Sequence, residues 1–168
     1  RICSLDGSNL PANQVGEVYL RGISLMDGYL GNELATRDAI RSGWLHTGDL
    51  GYIDDAGFIF IVDRLKDVIN RAGENISSAE IESCLLEQQD VGEAAVFGIP
   101  DEETGEAIIA MIYPLAGKKI DETTLLNHVA QRLAKYKVPA KIYITEKKLP
   151  RNPAGKLLKN ELKKAIFQ

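Results

Sequence analysis

The pattern of this sequence changes near residue 62, and that change limits what the chain can fold into. Between residues 16 and 57, eight glycines divide the chain into short apolar stretches, as is typical of strands joined by tight turns. Later in the chain, segments with helical spacing of apolar residues alternate with short apolar runs that favour buried strands. We therefore predict a β-rich segment over residues 1–62 and an α+β module over residues 63–168.

The β-rich segment carries three local signals. Residues 18–21 favour a short strand, and Asn32 is placed to cap a short helix that runs to residue 40. Residues 51–53 and 58–62 are apolar. The four residues between them, Asp, Asp, Ala and Gly, predict a hairpin.

The α+β module is predicted to have a small mixed sheet flanked by helices. Ser77 and Glu80 have the spacing of a capping box at the start of one helix, and Asp121 is placed to cap a second. The helical stripes are apolar and should face the core, whereas His128 on the second helix is expected at the surface or partly buried. The predicted strands are residues 94–99, 107–113 and 141–144, and a last short helix is predicted over residues 158–166.

Composition narrows the class of protein. Hydrophobic residues make up 45% of the chain and charged residues 26%, which is ordinary for a soluble globular protein. No apolar run is long enough to span a bilayer, and the first residues have no apolar segment of a signal peptide. Cys3 and Cys84 have neither a disulfide framework nor metal-ligand spacing, so we expect a reducing cytoplasm.

Charge argues against bulk binding of nucleic acid, because the net charge is -4. Lysines and arginines nevertheless dominate from residue 135 onwards. Such a basic end fits contact with a small polyanion, and it equally fits the solvated faces of helices.

Two segments near the change of pattern hold residues suited to chemistry. In residues 47–50, Asp49 beside Gly48 presents an uncrowded carboxylate that suits a vicinal diol, although most such segments are turns. In residues 63–67, the planar fork of Arg64 suits phosphate or ribose oxygens. The alternative for this charged run is a set of surface ion pairs.

Two further segments lie in the second part. Gly73, within residues 71–75, permits a close approach of the backbone or a plain turn. Lys156 stands at the tip of a loop stiffened by prolines, from which it can present a point charge. This loop is not a phosphate-binding P-loop, since Pro150 and Leu157 replace the Gly and the Ser or Thr of that motif. The sequence contains no Gly-x-Ser-x-Gly elbow, zinc-ligand cluster or dinucleotide fingerprint.

The order and spacing of these segments resemble the adenylate-forming enzymes, a family that includes the AMP-forming acyl-CoA synthetases. The resemblance covers nearly the whole chain in four blocks that follow the family order. The blocks are residues 16–29, residues 43–51, residues 63–67 with 73–76 and 79–82, and residues 150–156.

This resemblance implies a role for each candidate residue. Asp49 is expected to bind the ribose hydroxyls of ATP, and Arg64 the ribose or the phosphates. Gly73 and Glu74 are expected to line the passage of the CoA thiol arm. Lys156 is the expected catalytic residue, bridging the acyl carboxylate and ATP.

Elementary electrostatics agrees with the implied role of Lys156. Adenylation brings a carboxylate and a triphosphate together, so it needs fixed positive charge where the two anions meet. Mg²⁺ would neutralise the phosphates. A small domain rotating about a hinge at Lys66 would then present Lys156 first and the Gly73 loop second.

The sequence departs from the family pattern in places. Ala72 stands where the family often has glycine, and Asp63 stands where the hinge often has glycine. The loop for the triphosphate, the acyl pocket and a Mg²⁺-binding Glu do not occur in these residues. Residues 1–62 are therefore expected to be the end of a large domain and residues 63–168 its small lid. The chain alone is expected to lack ligase activity.

The functional prediction is an AMP-forming acyl-CoA ligase that uses ATP, CoA and Mg²⁺ and acts on a carboxylic acid, with a medium- or long-chain fatty acid expected. One alternative is an adenylation domain that transfers to the pantetheine of a carrier protein. Another is a lid-like module that serves protein interaction without catalysis. Nucleic-acid binding is a third and more distant alternative.

Overall fold

The computed structural model describes residues 1–4 and 6–166, and these divide between residues 66 and 67 into two compact units. The sequence analysis set the boundary after residue 62. The strand that leads to it runs two residues further, through the buried Asp63 to Arg64. Its backbone pairing therefore extends into the charged run that was expected to end it.

The first unit is a five-stranded antiparallel sheet with one short helix. Strand β4 is its centre: β2 pairs along one edge, and β3 and β5 pair with different stretches of the other. Helix α1 is capped as predicted, because Asn32 Oδ1 accepts the N–H of Ala35 at 3.0 Å. The elements are β1 (Ile2–Cys3), β2 (Gly16–Leu20), α1 (Glu33–Ala39), β3 (Ile40–Arg41), β4 (Trp44–Ile53) and β5 (Ile59–Arg64).

The second unit is a five-stranded mixed sheet with three helices. Strands β8 and β9 form a long antiparallel hairpin, β10 runs parallel to β9, and β6 and β7 form a short hairpin that meets β9 at Arg71 and Gly105. The predicted fold class is confirmed. The elements are β6 (Ile69–Arg71), β7 (Glu74–Ile76), α2 (Ser78–Leu86), β8 (Val91–Asp101), β9 (Gly105–Pro114), α3 (Glu122–Ala130), β10 (Lys141–Ile144) and α4 (Lys159–Ile166).

Side chains alternate between the two faces of a strand, and both faces of the β8–β9 hairpin are buried in a core. Val96 faces a core formed with α2 and α3, where Leu85 and Leu125 are fully buried. Phe97 faces a second, smaller core that includes Leu162 of α4. The hairpin is thus the middle layer of the second unit, with helices on both sides.

Local predictions in this unit are largely confirmed. Ser77 Oγ accepts the N–H of Glu80 at 3.3 Å, and Asp121 Oδ1 accepts the N–H of Thr124 at 2.9 Å. His128 is more buried than expected, at 9% exposure, and its Nε2 lies 2.9 Å from the carbonyl oxygen of Cys84. Within the described residues, no helix has the length and apolar character needed to cross a membrane.

Candidate functional site

Asp49 and Arg64 are brought together by the pairing of β4 with β5. The two residues are register partners, and Arg64 Nε lies 2.9 Å from Asp49 Oδ1. Their side chains are 37% and 41% exposed, so the pair is partly open to solvent, although Arg64 Nε itself is buried. Residues proposed separately from two sequence segments therefore form one cross-strand pair at the end of the hairpin.

A bulge in β4 sets the direction of Asp49. Against β2, the three residues from Glu17 to Tyr19 face the five residues from His46 to Leu50, so β4 carries two extra residues here. Gly48 lies in the bulge with φ at +69°, a conformation that glycine adopts without strain. Residues 47–50 thus form an irregular stretch inside a strand, and not the turn that was the alternative for this segment.

Hydrogen bonds hold the bulge in place. Thr47 Oγ1 donates to the carbonyl of Val18 at 2.7 Å and accepts the N–H of Asp49 at 3.1 Å. Glu17 Oε1 accepts the N–H of Gly48 at 3.0 Å. These side chains satisfy backbone groups that a regular ladder would have paired, so the bulge is well supported.

The Asp49 and Arg64 pair has the chemistry to hold a sugar phosphate. The carboxylate offers two oxygens to the hydroxyls of a diol, and the guanidinium offers a fork of donors to phosphate oxygens. Arg64 Nε is buried and, among the described residues, forms its ion pair without an aligned hydrogen bond. The mutual attraction of the two groups keeps both oriented in the absence of a ligand.

Gly73 lies in the two-residue turn of the β6–β7 hairpin, at a position where the sequence indicated a close backbone approach or a plain turn. Ala72 and Gly73 have φ of +51° and +85°, and Arg71 pairs with Glu74 across the turn. Positive φ at both central residues defines the type I′ turn that joins tight hairpins. Ala72 therefore has a left-handed backbone conformation that glycine would adopt with less strain.

Neighbouring segments hold this turn at three points. The N–H of Ala72 donates to the carbonyl of Thr104 at 2.7 Å, and the N–H of Asn70 donates to Glu106 Oε2 at 2.7 Å. Arg71 Nη1 donates to the carbonyl of Tyr136 at 2.7 Å. The exposed turn, with Glu74 beside it, is therefore fixed to the β8–β9 hairpin.

The turn between β8 and β9 is itself ordered by a carboxylate. Asp101 Oδ1 accepts hydrogen bonds from the hydroxyl of Thr104 at 2.7 Å and from its N–H at 2.8 Å. These bonds favour the charged carboxylate, so the pKa of Asp101 lies below its usual value. The position of the Thr104 carbonyl, which holds Ala72, depends on this arrangement.

Lys156 is exposed on a closed loop, but it lies beside the base of that loop rather than at the predicted tip, which residues 153–155 form. Arg151 and Leu157 form an antiparallel bridge at its base. Asn152 donates its N–H to the carbonyl of Lys156 and accepts the Lys156 N–H through Oδ1, both at 2.9 Å. Within the described residues, the ammonium group forms no ion pair, so its charge is free to meet an anion.

Glu93 fastens the start of the same loop to β8. Its Oε2 accepts the N–H of Leu149 at 2.8 Å, and its Oε1 lies 3.7 Å from Arg151 Nε. Arg151 in turn donates from Nη1 to the carbonyl of Gly155 at 2.8 Å. The backbone next to Lys156 is therefore linked to the central hairpin through two side chains.

A second fastening follows the loop, at the start of α4. Lys159 Nζ lies 2.8 Å from Glu82 Oε1 and donates to Ser78 Oγ at 2.8 Å. Glu82 Oε1 also accepts the N–H of Val96 at 2.8 Å. Because the Lys159 and Glu82 side chains are only 14% and 18% exposed, this network is shielded from water.

The remaining predicted residues stand apart from these contacts. Lys66 is exposed, lies in a single 3₁₀ turn (Leu65–Asp67), and is the last residue of the first unit. In the second unit, Gly73 and Lys156 lie on different loops. Among residues 1–4 and 6–166, no cluster of His, Cys, Asp or Glu has the arrangement of a metal site.

Sequence reasoning missed the residues that support the two loops. Glu93 and Glu106 look like ordinary charged residues beside apolar strands, and no spacing rule links them to residues 36 or more positions away. The β6–β7 hairpin would have been easier to predict from the sequence. The short alternating segments on either side of Ala72 and Gly73 are the signal that would have indicated it.

Comparison with known proteins gives consistent results. Residues 80–156 match the AMP-binding enzyme C-terminal domain family. The chain is 43% identical over 166 residues to a 2-succinylbenzoate--CoA ligase of Geobacillus kaustophilus, covering 98% of this chain and 34% of that protein. The chain therefore spans about a third of the length of the curated relatives it matches.

Two solved structures have the same fold. The o-succinylbenzoate CoA synthetase MenE of Bacillus subtilis, in complex with ATP and magnesium ion, is 40% identical with a TM-score of 0.87, over 96% of this chain and 33% of that one. The amide bond synthetase McbA of Marinactinospora thermotolerans is 35% identical with a TM-score of 0.90, over 98% and 34%.

Proposed function

The chain belongs to the adenylate-forming, AMP-binding enzymes, whose carboxy-terminal portion it matches, and we propose that its protein is an AMP-forming acid–CoA ligase. Such an enzyme joins a carboxylic acid to AMP and then passes the acyl group to the thiol of CoA. The observation that carries this proposal is 43% identity to a CoA ligase across nearly all of this chain.

The candidate residues have the chemistry that each half-reaction requires. Asp49 and Arg64 would hold the ribose and phosphates of ATP, and the free ammonium of Lys156 would stabilise the charge that develops as the carboxylate meets the α-phosphate. Gly73 and Glu74, on the exposed type I′ turn, would line the path of the CoA thiol arm. Lys66 would be the hinge between the two steps.

The metal of this reaction would arrive with the nucleotide. No acidic cluster of the described residues is arranged to hold a divalent ion, so Mg²⁺ would be bound here through the phosphates of ATP. The similar MenE of Bacillus subtilis has been solved in complex with ATP and magnesium ion.

Two classes of carboxylic acid are candidates for the substrate. A medium- or long-chain fatty acid was predicted, whereas two relatives that are 43% identical to this chain carry the name of 2-succinylbenzoate. Both acids belong in a test panel. A CoA thiol is the proposed acceptor, and the likeness to an amide bond synthetase makes an amine the second candidate.

The chain by itself is proposed to lack ligase activity. Its first unit leaves large apolar side chains of β5 in solvent, with Ile59, Phe60 and Ile61 between 44% and 58% exposed. Large apolar side chains that are exposed on both faces of a strand usually pack against further protein. Further protein would also supply the triphosphate loop and the acid pocket.

The decisive test measures exchange between pyrophosphate and ATP by the full-length protein. Decanoate, palmitate, benzoate and 2-succinylbenzoate are supplied in turn, with a Lys156→Ala variant as comparison. We expect one acid to support exchange, the variant to lose it at least 100-fold, and CoA addition to yield a thioester. Exchange by the variant at the wild-type rate, or none with any acid, would refute the proposal.

A further inference from the structure

Two carboxylates that sequence analysis did not select hold the two loops of the second unit. Glu93 lies near the start of β8 and contacts the chain that leads to Lys156. Glu106 lies near the start of β9 and contacts the backbone of the turn that contains Gly73. Glu93 is opposite Tyr113 and Glu106 is opposite Pro100 in the antiparallel register, so they occupy opposite ends of one hairpin.

The two carboxylates also face opposite sides of the sheet. Glu93 is on the side of Phe97, toward α4, and Glu106 is on the side of Ile108, toward α2 and α3. Each therefore reaches a different loop. Neither side chain lies in the turn or loop that it holds, so each acts through another residue.

The sequence makes room for Glu106 in a specific way. A Cβ atom added at Gly98 would lie 2.7 Å from Glu106 Cδ and 2.7 Å from its Oε1, so the carboxylate occupies the space above this glycine. A side chain at residue 98 would displace the carboxylate from the N–H of Asn70. Gly98 is thus required by the position of Glu106 rather than by backbone conformation.

We propose that Glu93 and Glu106 are positioning residues, one for each half-reaction of the proposed ligase. Glu93 orients the loop of Lys156 for formation of the acyl-adenylate, and Glu106 orients the turn of Gly73 for transfer to the thiol. The inference rests on the proposed function. It adds that the two steps are separable by substitutions at opposite ends of a single hairpin.

The test uses the full-length protein and measures the two steps separately. ATP–pyrophosphate exchange reports the first step with whichever acid of the panel above gives the fastest exchange. Single-turnover thioester formation from the preformed acyl-adenylate and CoA reports the second. The variants are Glu93→Ala, Glu93→Gln, Glu106→Ala and Gly98→Ala. Glu102→Ala, an exposed carboxylate in the same hairpin, is the matched control.

A misplacement of about 1 Å is enough to cost about 100-fold in rate. We therefore expect Glu93→Ala to slow exchange at least tenfold in kcat, with thioester formation within twofold of wild type. Glu93→Gln, which retains an oxygen to accept the Leu149 N–H, should recover part of the loss. Glu106→Ala and Gly98→Ala should show the reverse pattern, and Glu102→Ala should affect neither step.

Equal losses in both steps, or no loss in either, would overturn the inference, since a role in stability alone would not separate them. Lys156→Ala distinguishes this failure from failure of the proposed function. If that variant loses exchange while Glu93→Ala keeps it, the ligase assignment survives and the positioning role of Glu93 does not.

Discussion

Replacing Lys159 by methionine tests whether the shielded network at the start of α4 holds the helix in place. Methionine keeps an unbranched apolar side chain of similar reach and a similar helix propensity, so the main loss is the charge. The ammonium group contacts Glu82 Oε1 and Ser78 Oγ, each at 2.8 Å. Its removal leaves the Glu82 carboxylate with the N–H of Val96 as its hydrogen-bond donor among the contacts described above.

The size of the destabilisation depends on how far the Lys159 and Glu82 ion pair is buried. Removing one partner of a fully buried ion pair costs about 3–5 kcal/mol, because the other charge stays desolvated. Here the two side chains are 14% and 18% exposed, so water relieves part of that cost. We expect Lys159→Met to lower the free energy of unfolding by about 2–3 kcal/mol.

Neutralising both partners should be far less harmful than the sum of the single changes. Glu82→Gln keeps an oxygen for the Val96 N–H and removes the stranded charge. The Lys159→Met, Glu82→Gln double variant should therefore recover at least about 1 kcal/mol relative to additivity.

Urea unfolding followed by circular dichroism at 222 nm is the appropriate assay, since three of the four helices lie in the second unit. A loss of 2–3 kcal/mol corresponds to a midpoint lower by about 1 M urea. Lys164→Met, an exposed lysine of the same helix, is the control. If Lys159→Met behaved like that control, or if the double variant were additive, the reasoning would be refuted.

Two further predictions concern the second unit and use the same unfolding assay. Ala72→Gly should raise the free energy of unfolding by up to about 1 kcal/mol, because the relief of left-handed strain exceeds the added chain entropy of glycine. Ala72→Val should lower the free energy of unfolding, and the reverse order of the two variants would contradict the type I′ turn. Hydrogen bonds from Thr104 and Thr124 lower the pKa of Asp101 and Asp121, respectively. The stabilisation of the fold by these two carboxylates is therefore complete above the ordinary Asp pKa of about 4 and is lost as the pH falls toward the lowered pKa. An Asp101→Asn, Asp121→Asn variant should show a smaller loss of stability between about pH 5 and pH 2, and an unchanged pH profile would be contrary to this expectation.

The elements that sequence predicted well are those whose signal is local. Asn32, Ser77 and Asp121 cap helices through contacts three residues away, and the hairpin at residues 54–57 closes on itself. The burial of both faces of β8 also follows from a continuous apolar run. Such features need no knowledge of the rest of the chain.

The features that sequence reasoning missed depend on residues far apart. The bulge at Gly48 exists because Glu17 and Thr47 satisfy its backbone, and β5 continues to Arg64 because Asp49 offers it a partner. His128 is a polar residue, yet its ring is buried in the core, where Nε2 lies beside the carbonyl oxygen of Cys84. The roles of Asp49, Arg64, Lys66, Gly73, Glu74 and Lys156 stay predictions.

The central hairpin of the second unit also fixes a length. Glu93 and Pro100, the partner of Glu106, are seven residue steps apart along β8, and at about 3.3 Å per step the distance is about 23 Å. Since the strands are paired along this whole distance, the two ends cannot approach one another by bending. The paired strands therefore fix the distance between the two loops. A residue inserted into β9 would change that distance and would also change the face of the sheet toward which the loop contacts point.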